Sequence, residues 1–373
     1  MAKNIIISGW YGMGNVGDEA ILQAMIDKFR NEFPDCKITV FSYNPTYTKE
    51  NQGVNAVHHL PYGIISWLAR IFYNGKFWPT LFSILKCDLF IMGGGGFLCD
   101  KSPEIPYLWL RECMFAKILG KKTVLYRIGA GPFITQKGRN TVKFFIDNFV
   151  DKVSVRDKTS FNHLVNCAKI DKSKVTIEID PVAQMDVSSY KIENDGYITA
   201  IYAPYFHIEK VWPNCQEKYK QLKTCFMEQV KTLLDCNRKV RVVFFQPNQD
   251  NVLAEEFKQA FGDSIEIQLP QNYKDAIAIL AKSQAIISFR LHGNIIAYAL
   301  RKPFMPIIYS YKTKGFLGMI NYKPKDILIS TVDEETWTDY LPLNKEEWRN
   351  KTKTFLSRLE KNDINIFYEK NSN

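Results

Sequence analysis

The chain has 373 residues, of which 46% are hydrophobic and 24% charged, and its formal net charge is +10. This length and composition are typical of a globular protein with two domains, and they exclude a disordered or fibrous chain. No run reaches the roughly 18 apolar residues of a membrane-spanning helix. The short apolar run at the amino terminus predicts a strand rather than a signal peptide.

The positive charge is compatible with nucleic acid, anionic lipid or a phosphorylated substrate. Lysines are spread along the whole chain and no zinc-finger or RNA-binding signature occurs, which disfavours nucleic acid. The eight cysteines include no C-x-x-C pair. This usage predicts reduced thiols in a cytoplasmic protein and no structural metal.

Strand and helix patterns alternate along the chain. The first half predicts strands at 4–10, 36–43, 87–96, 121–132 and 152–157, with helices at 19–33 and about 140–150. The second half predicts strands at 195–203, 239–247, 284–290 and 303–310, with helices at 216–235, 272–283 and 293–302. The strands are continuous apolar runs, as in parallel sheets buried on both faces.

A polar segment at 180–196 separates the two halves, and a charged amphipathic helix follows at 344–361. We therefore predict an α/β protein with two Rossmann-like doubly wound domains facing a cleft, a GT-B-like arrangement, and a C-terminal helix. The predicted domains are 1–185 and 186–343, followed by the helix and tail at 344–373.

The stretch GMGNVGDEA, residues 12–20, contains G-x-G-x-x-G. A dinucleotide-binding loop needs its first glycine directly after the strand and an acidic residue at the end of the second strand. Trp10 and Tyr11 intervene here, and the second strand ends without Asp or Glu, so NAD or FAD is disfavoured. The loop still suits close approach of a ligand, and Asn15 and Asp18 are also natural helix caps.

Several motifs, in order, resemble the polysaccharide pyruvyl transferase family. SGWYGMGNVGDEAIL is similar to its N-terminal signature, and SFRLHGNIIAYALRKPFMPIIYSYK to its C-terminal element. DLFIMGGGGFLCD, RIGAGP, VSVRDKTS and IDPV resemble shorter family motifs between them. The resemblance covers about residues 5–314.

The resemblance implies transfer of an enolpyruvyl-derived group from phosphoenolpyruvate to two hydroxyls of a sugar, with release of phosphate. The product is a cyclic pyruvate ketal on a precursor of a bacterial cell-surface polysaccharide, often lipid-linked. Phosphoenolpyruvate is then the donor substrate, and this chemistry needs no metal or other cofactor. The first domain is expected to face the acceptor and the second the donor.

The donor carries a phosphate and a carboxylate, which calls for cations, arginine above all. Arg290 and His292 lie two residues apart at a strand–helix turn, and we predict Arg290 as a donor contact and His292 as a catalytic acid or base. Lys312 is the predicted donor lysine, with Lys314 as its competitor. Arg156 is a further predicted donor contact, although a structural Arg–Asp pair explains it nearly as well.

On the acceptor side, the resemblance points to Gly14, Asn15, Gly94 and Gly95 as binding residues. Asp18 is a predicted base for the sugar hydroxyl, although helix capping alone also accounts for it. Family members often carry an arginine after the first strand of the second domain. Here the strand reads YITAIYAPYF, residues 197–206, so that contact is missing or replaced.

The segment 62–86 is rich in aromatic and aliphatic residues with interspersed lysine and arginine. Such a helix suits either peripheral contact with the inner face of a membrane or a cover over the first sheet. Two functional alternatives stay open. One is a GT-B glycosyltransferase using a nucleotide sugar, and the other is a non-catalytic scaffold that binds glycan or lipid carrier.

Overall fold

The computed structural model describes residues 3–63, 75–100, 104–208, 212–333, 340–341 and 343–361. The chain divides into two compact units, Met1–Gln184 and Met185–Asn373. The division is adjacent to the predicted boundary after residue 185. The C-terminal helix, which we predicted as a separate segment, is part of the second unit.

The first unit is built on a seven-stranded sheet in the order β3-β2-β1-β4-β5-β6-β7, in which every pair is parallel. Its elements are β1 Asn4–Ser8, α1 Val16–Glu32, β2 Lys37–Ser42, α2 Pro45–Gln52, β3 Asn55–His58, α3 Phe77–Lys86, β4 Leu89–Gly93, α4 Ile105–Ile118, β5 Lys122–Ile128, α5 Gln136–Phe149, β6 Lys152–Val155, α6 Lys158–Asn162 and β7 Val175–Ile177.

The second unit repeats this design with a six-stranded parallel sheet in the order β10-β9-β8-β11-β12-β13. Its elements are β8 Tyr197–Tyr202, α7 Gln216–Asp235, β9 Lys239–Phe244, α8 Pro247–Phe261, β10 Glu266–Gln268, α9 Tyr273–Lys282, β11 Ala285–Ser288, α10 Leu291–Ala299, β12 Phe304–Ile308, α11 Tyr311–Met319, β13 Ile329–Ser330 and α12 Lys345–Glu360.

Each sheet reverses its strand order once, and the reversal locates the ligand-binding edge. In the first sheet the reversal lies between β1 and β4, and in the second between β8 and β11. Ligands of open α/β sheets bind outside the carboxyl ends of the strands at such a switch point. The loops after these four strands are therefore the first places to examine.

The predicted parallel α/β architecture is confirmed, because the apolar runs are indeed strands buried on both faces. Helix α12 packs on α7. The ring centroids of Trp348 and Phe226 are 5.6 Å apart, and Gln229 Nε2 donates to Thr352 Oγ1 at 3.1 Å. All eight cysteines are free thiols.

The aromatic segment predicted at 62–86 is only partly described, since residues 64–74 lie outside the described ranges. Residues 77–86 form helix α3. Among the described helices, none combines the length and apolar character that a membrane span requires.

Candidate functional site

The glycine loop after β1 closes around a carboxylate of its own chain. Glu19, one turn into α1, is buried, and its Oε1 accepts from the Gly12 amide at 2.8 Å. Burial raises the pKa of Glu19, while hydrogen bonds from the amides of Gly12, Met13 and Gly14 act in the opposite direction. The amides of this loop thus hydrogen-bond to a carboxylate of the same chain, whereas the amides of a dinucleotide-binding loop hold a phosphate. The expectation that NAD and FAD are disfavoured stays a prediction.

The predicted acceptor residues lie together at the first switch point. Asn15 caps α1, and its Oδ1 accepts from the Gly17 amide at 3.0 Å. Gly94 and Gly95 turn the chain after β4 at φ of +65° and +84°. A Cβ on Gly95 would lie 3.5 Å from Asp18 Oδ1, so the half-buried Asp18 carboxylate lies against this turn.

Arg156 follows β6 in the first unit, whereas Arg290 belongs to the second unit. Its side chain is only 4% exposed, and its Nη1 donates to the buried Asp180 carboxylate at 3.0 Å. The guanidinium also packs against Gly129, where a Cβ would approach Nη2 to 3.0 Å. This geometry matches the structural Arg–Asp alternative, and donor binding by Arg156 stays a prediction.

In the second unit, Arg290 lies at the switch point between β8 and β11 as the N-cap residue of α10. Its Nη2 donates to both oxygens of Asp250, at 2.6 and 2.8 Å, and Nη1 lies 3.4 Å from Gln246 Oε1. Asp250 is fully buried and also accepts from the Gln246 amide at 3.0 Å. The guanidinium plane is therefore fixed before any ligand arrives.

His292 follows on the first turn of α10 and is half-buried. The start of this helix is pressed against β11, because a Cβ on Gly293 would lie 2.2 Å from Ser288 Oγ. Ser288 Oγ in turn donates to the Arg290 carbonyl at 2.7 Å. These contacts hold the FRLHG turn in one conformation, which keeps Arg290 and His292 at the same sheet edge.

Tyr205, in the loop after β8 where the expected family arginine is missing, packs in a cluster with Tyr309 and Tyr340. The Tyr205 hydroxyl hydrogen-bonds with Tyr340, and its ring lies 5.4 Å from Tyr309 and 5.8 Å from Phe289. Burial raises the pKa of Tyr205 well above its ordinary value, and the Arg290 charge acts in the opposite direction. The position beside Arg290 thus holds neutral phenols instead of a second guanidinium.

The N-terminus of α11, next to the end of β12, carries two buried hydroxyls. Ser310 Oγ and Thr313 Oγ1 are shielded from solvent and make no hydrogen bond among the residues that the structure describes. Lys312 is half-buried and belongs to the same turn. Lys314 is exposed and lines a cavity together with Lys325 and Lys351. Helix N-termini attract anions, so Lys312 is the better placed of the two lysines.

The predicted residues thus form two groups, one in each unit. Asn15, Asp18, Gly94 and Gly95 meet in the first, and the second joins Arg290 and His292 at one sheet edge with α11 at the next strand. Sequence reasoning missed Glu19 and Asp250, which pair with the Gly12 amide and with Arg290. It also missed Thr313, whose hydroxyl has no hydrogen bond within the described ranges. No group of three or more metal-binding side chains occurs within the described ranges.

Two parallel α/β sheets, each with candidate ligand loops at its switch point, define a GT-B-like class of protein. Solved structures agree in fold. A glycosyltransferase from Rickettsia africae ESF-5 matches with a TM-score of 0.56 and 15% identity, over 98% of this chain and 91% of that one. S. aureus MnaA, in a co-structure with UDP, matches with a TM-score of 0.59 and 12% identity, over 98% and 92%. Methanocaldococcus jannaschii UDP-GlcNAc 2-epimerase matches with a TM-score of 0.55 and 13% identity, over 95% and 93%.

The family is identified by sequence. The profile of the family described as polysaccharide pyruvyl transferase matches residues 15–311, most of the chain. The protein therefore belongs to the polysaccharide pyruvyl transferase family. Among curated proteins, none matches the sequence.

Proposed function

We propose that the protein transfers pyruvate as a cyclic ketal from phosphoenolpyruvate to two hydroxyls of one sugar in a cell-surface polysaccharide precursor. In this reaction C2 of the donor gains two C–O bonds to the sugar, while its double bond to the methylene carbon becomes a single bond and its bond to the phosphate oxygen breaks. Of the two hydroxyl protons, one is balanced by protonation of the donor methylene and one leaves with phosphate. Membership of the family supports the reaction class.

The observation that carries the proposal is the fixed Arg290 beside His292 at the second switch point. Arginine binds carboxylate and phosphate through its planar fork. Because the buried Asp250 already neutralises Arg290, the net positive charge for a multiply anionic donor comes from elsewhere. We assign it to Lys312 and the N-terminus of α11, with the hydroxyls of Ser310 and Thr313 as additional donors.

Proton transfer needs a group within reach of the donor methylene and another near the attacking hydroxyl. We assign the first role to His292 and the second to Asp18, which lies against the Gly94–Gly95 turn among the predicted acceptor residues. The reaction so written requires no metal or organic cofactor, so turnover should persist in EDTA.

The test combines binding and turnover. Phosphoenolpyruvate, UDP-sugars and CMP-sugars are compared for their effect on the thermal midpoint of wild type, Arg290→Ala and Arg290→Lys. Arg358→Ala is the matched control. Arg358 also donates to an aspartate, Asp326, at 2.7 Å, but it lies on α12 and not at the predicted donor site. A ligand that binds only the folded state raises the midpoint.

We expect phosphoenolpyruvate to raise the midpoint of wild type and Arg358→Ala, with a smaller rise in Arg290→Lys and none in Arg290→Ala. With a sugar acceptor, phosphate should be released and the acceptor should gain a ketal detected by mass spectrometry. A rise with nucleotide sugars alone would instead identify a glycosyltransferase. Binding of phosphoenolpyruvate without phosphate release from any acceptor would identify a non-catalytic scaffold.

We also propose that the protein is cytoplasmic and contacts the membrane, where a lipid-linked acceptor would be found, through helix α3. Trp78, Phe82 and Leu85 are exposed on this helix, and Lys76 and Lys86 flank it. Aromatic residues with flanking lysines suit an anionic lipid interface.

Co-sedimentation with phosphatidylglycerol-containing vesicles tests this contact. Binding should weaken in Trp78→Ala/Phe82→Ala and persist in Phe144→Ala, a control on the exposed face of α5. Equal sedimentation of all three proteins, or equal binding to phosphatidylcholine alone, would exclude α3 as the contact.

A further inference from the structure

The first unit has a cavity at the carboxyl ends of β1 to β4, and its residues have no role in the proposed reaction as described above. Its volume is about 490 Å³, within the usual range of small-molecule sites. We call it the aromatic cavity. Half of its lining residues carry ring side chains, which are Trp10, Tyr43, His58, His59, Tyr62, Phe97 and Trp109.

The rings form a continuous surface. The Trp10 ring centroid lies 4.9 Å from Tyr43 and 6.0 Å from Trp109, and Phe97 lies 4.6 Å from Trp109. Trp10 and Tyr43 stay 39% and 45% exposed, although such large apolar surfaces are usually covered. Part of the Trp10 and Tyr43 side chains is thus accessible to a molecule that enters the cavity.

The base of the aromatic cavity is polar, but its charges are already compensated. Glu112 is buried and accepts from Ser8 Oγ at 2.5 Å and from the Leu60 amide at 3.1 Å, with His59 Nδ1 at 3.2 Å. Burial alone would raise the pKa of Glu112, but the His59 interactions and the Ser8 hydrogen bond outweigh it and lower that pKa. Arg111 donates from Nε, Nη1 and Nη2 to the backbone carbonyls of Leu108, Pro61 and Leu60, and its charge interacts with the Glu112 carboxylate and also lowers the Glu112 pKa.

We propose that the aromatic cavity binds a neutral pyranose ring of the acceptor glycan. One face of a pyranose presents C–H bonds that pack against the face of an aromatic ring, while its hydroxyls need polar partners at the edge. The cavity offers both, because the exposed side chains of Tyr43 and Tyr62 carry hydroxyls in its wall. A phosphate would find no uncompensated cation among these lining residues.

The position of the aromatic cavity agrees with an acceptor role. Trp10 belongs to the loop that ends at Asn15, and Phe97 lies two residues after Gly95 in the loop that contains the Gly94–Gly95 turn. A sugar held on these rings is therefore bound by the same two loops that carry the predicted acceptor residues. This assignment of substrate class rests on the proposed function, but the site itself is measured separately.

Saturation-transfer NMR without phosphoenolpyruvate tests the site. The probes are methyl β-galactopyranoside and the methyl glycosides of N-acetylglucosamine and N-acetylmannosamine, with farnesol as a hydrocarbon probe. The variants are Trp10→Ala, Trp10→Phe and Tyr43→Ala, all truncating exposed rings. Phe144→Ala is the matched control, an exposed ring in the same unit but outside the cavity.

At least one glycoside should bind wild type and Phe144→Ala, with the strongest saturation on the ring protons of one sugar face. Trp10→Ala should weaken binding about tenfold, as for an anchoring aromatic residue, and Trp10→Phe should restore part of it. The thermal midpoint of each variant verifies folding. Glycoside binding that is unchanged in Trp10→Ala and Tyr43→Ala, binding of farnesol alone, or binding of no glycoside would each overturn the proposal.

The outcome is separable from that of the proposed reaction. Glycoside binding at the aromatic cavity without any effect of phosphoenolpyruvate would refute the donor and leave the sugar site in place. Phosphoenolpyruvate binding with no glycoside binding would refute the sugar site and leave the proposed donor in place.

Discussion

Removing Arg290 should cost stability as well as donor binding, because its partner is the fully buried Asp250. In Arg290→Ala the Asp250 carboxylate keeps the Gln246 amide at 3.0 Å but loses both contacts with the guanidinium. An ionised carboxylate that has lost its buried counter-ion is a major destabilising defect.

The magnitude follows from the burial of the two partners. Breaking a buried ion pair from one side costs about 3–5 kcal/mol. The Arg290 side chain is 22% exposed, so water enters when it is truncated and hydrates Asp250 in part. We therefore expect the lower end, about 3 kcal/mol, at neutral pH.

The cost should depend on pH in one direction. Burial already raises the pKa of Asp250 in the wild type, against the opposing charge of Arg290. Loss of that charge raises the folded-state pKa further, and a group with a raised folded pKa loses stability as pH increases. The deficit of Arg290→Ala relative to wild type should be small near pH 4, about the ordinary aspartate pKa, and grow towards pH 8.

Urea unfolding followed by circular dichroism at several pH values measures this deficit, and hydrogen exchange of peptides from 239–261 locates it. The double variant Arg290→Ala/Asp250→Asn removes the charge and should recover most of the lost stability. A deficit that does not change with pH, or a double variant no more stable than Arg290→Ala, would refute this account of the pair.

Three further predictions concern other described contacts. In Gly94→Ala the new Cβ would lie 1.9 Å from Ile21 Cγ2 at φ +65°, so the free energy of unfolding in urea should fall by about 2 kcal/mol or more. Gly14→Ala also has a positive φ but open space around it, so it should cost only about 1 kcal/mol. Equal losses in the two variants would contradict the proposed clash with Ile21. Glu112 has a lowered folded pKa, so its stabilisation is present above the ordinary glutamate pKa of about 4.3 and is lost as pH falls through the folded value. Glu112→Gln should flatten that acid-side decline in unfolding titrations, and an unaltered slope would count against it. Thr313→Val removes a buried hydroxyl that has no hydrogen bond to any described residue, so the thermal midpoint should stay level or rise while its shift with phosphoenolpyruvate shrinks. A lower midpoint without ligand would show that the hydroxyl does make a stabilising hydrogen bond.

The strands were predictable because parallel strands buried on both faces need continuous apolar runs, and NIIIS, LFIMG and AIIS are such runs. The strands were predicted to extend too far at their carboxyl ends, because the glycine and polar residues that follow the apolar runs already belong to turns. Strand β4, for example, ends at Gly93, and Gly94 and Gly95 turn the chain. Helix α1 begins at Val16, earlier than predicted, since Asn15 rather than Asp18 is the cap.

The partners of the site residues were not predictable. Asp250 precedes Arg290 by a whole α–β–α–β passage of chain, and only the parallel order of β9, β8 and β11 brings their ends together. The aromatic cavity likewise collects rings from loops after four strands. A sequence motif shows which residue lies at the end of a strand. The residues that contact it in space depend on the order of the strands in the sheet, and the pattern of a single sequence does not specify that order.

The glycine loop that closes on Glu19 has a consequence in the cell. Because Glu19 is buried and holds the Gly12 amide from within, the loop obtains its shape during folding and not from a bound substrate. A substitution at Glu19 is then expressed first as a lower amount of protein, since a loss of about 1–2 kcal/mol changes abundance several-fold. In a phenotypic screen such a variant would resemble a null allele, although the residue touches no reacting atom in the reaction we propose.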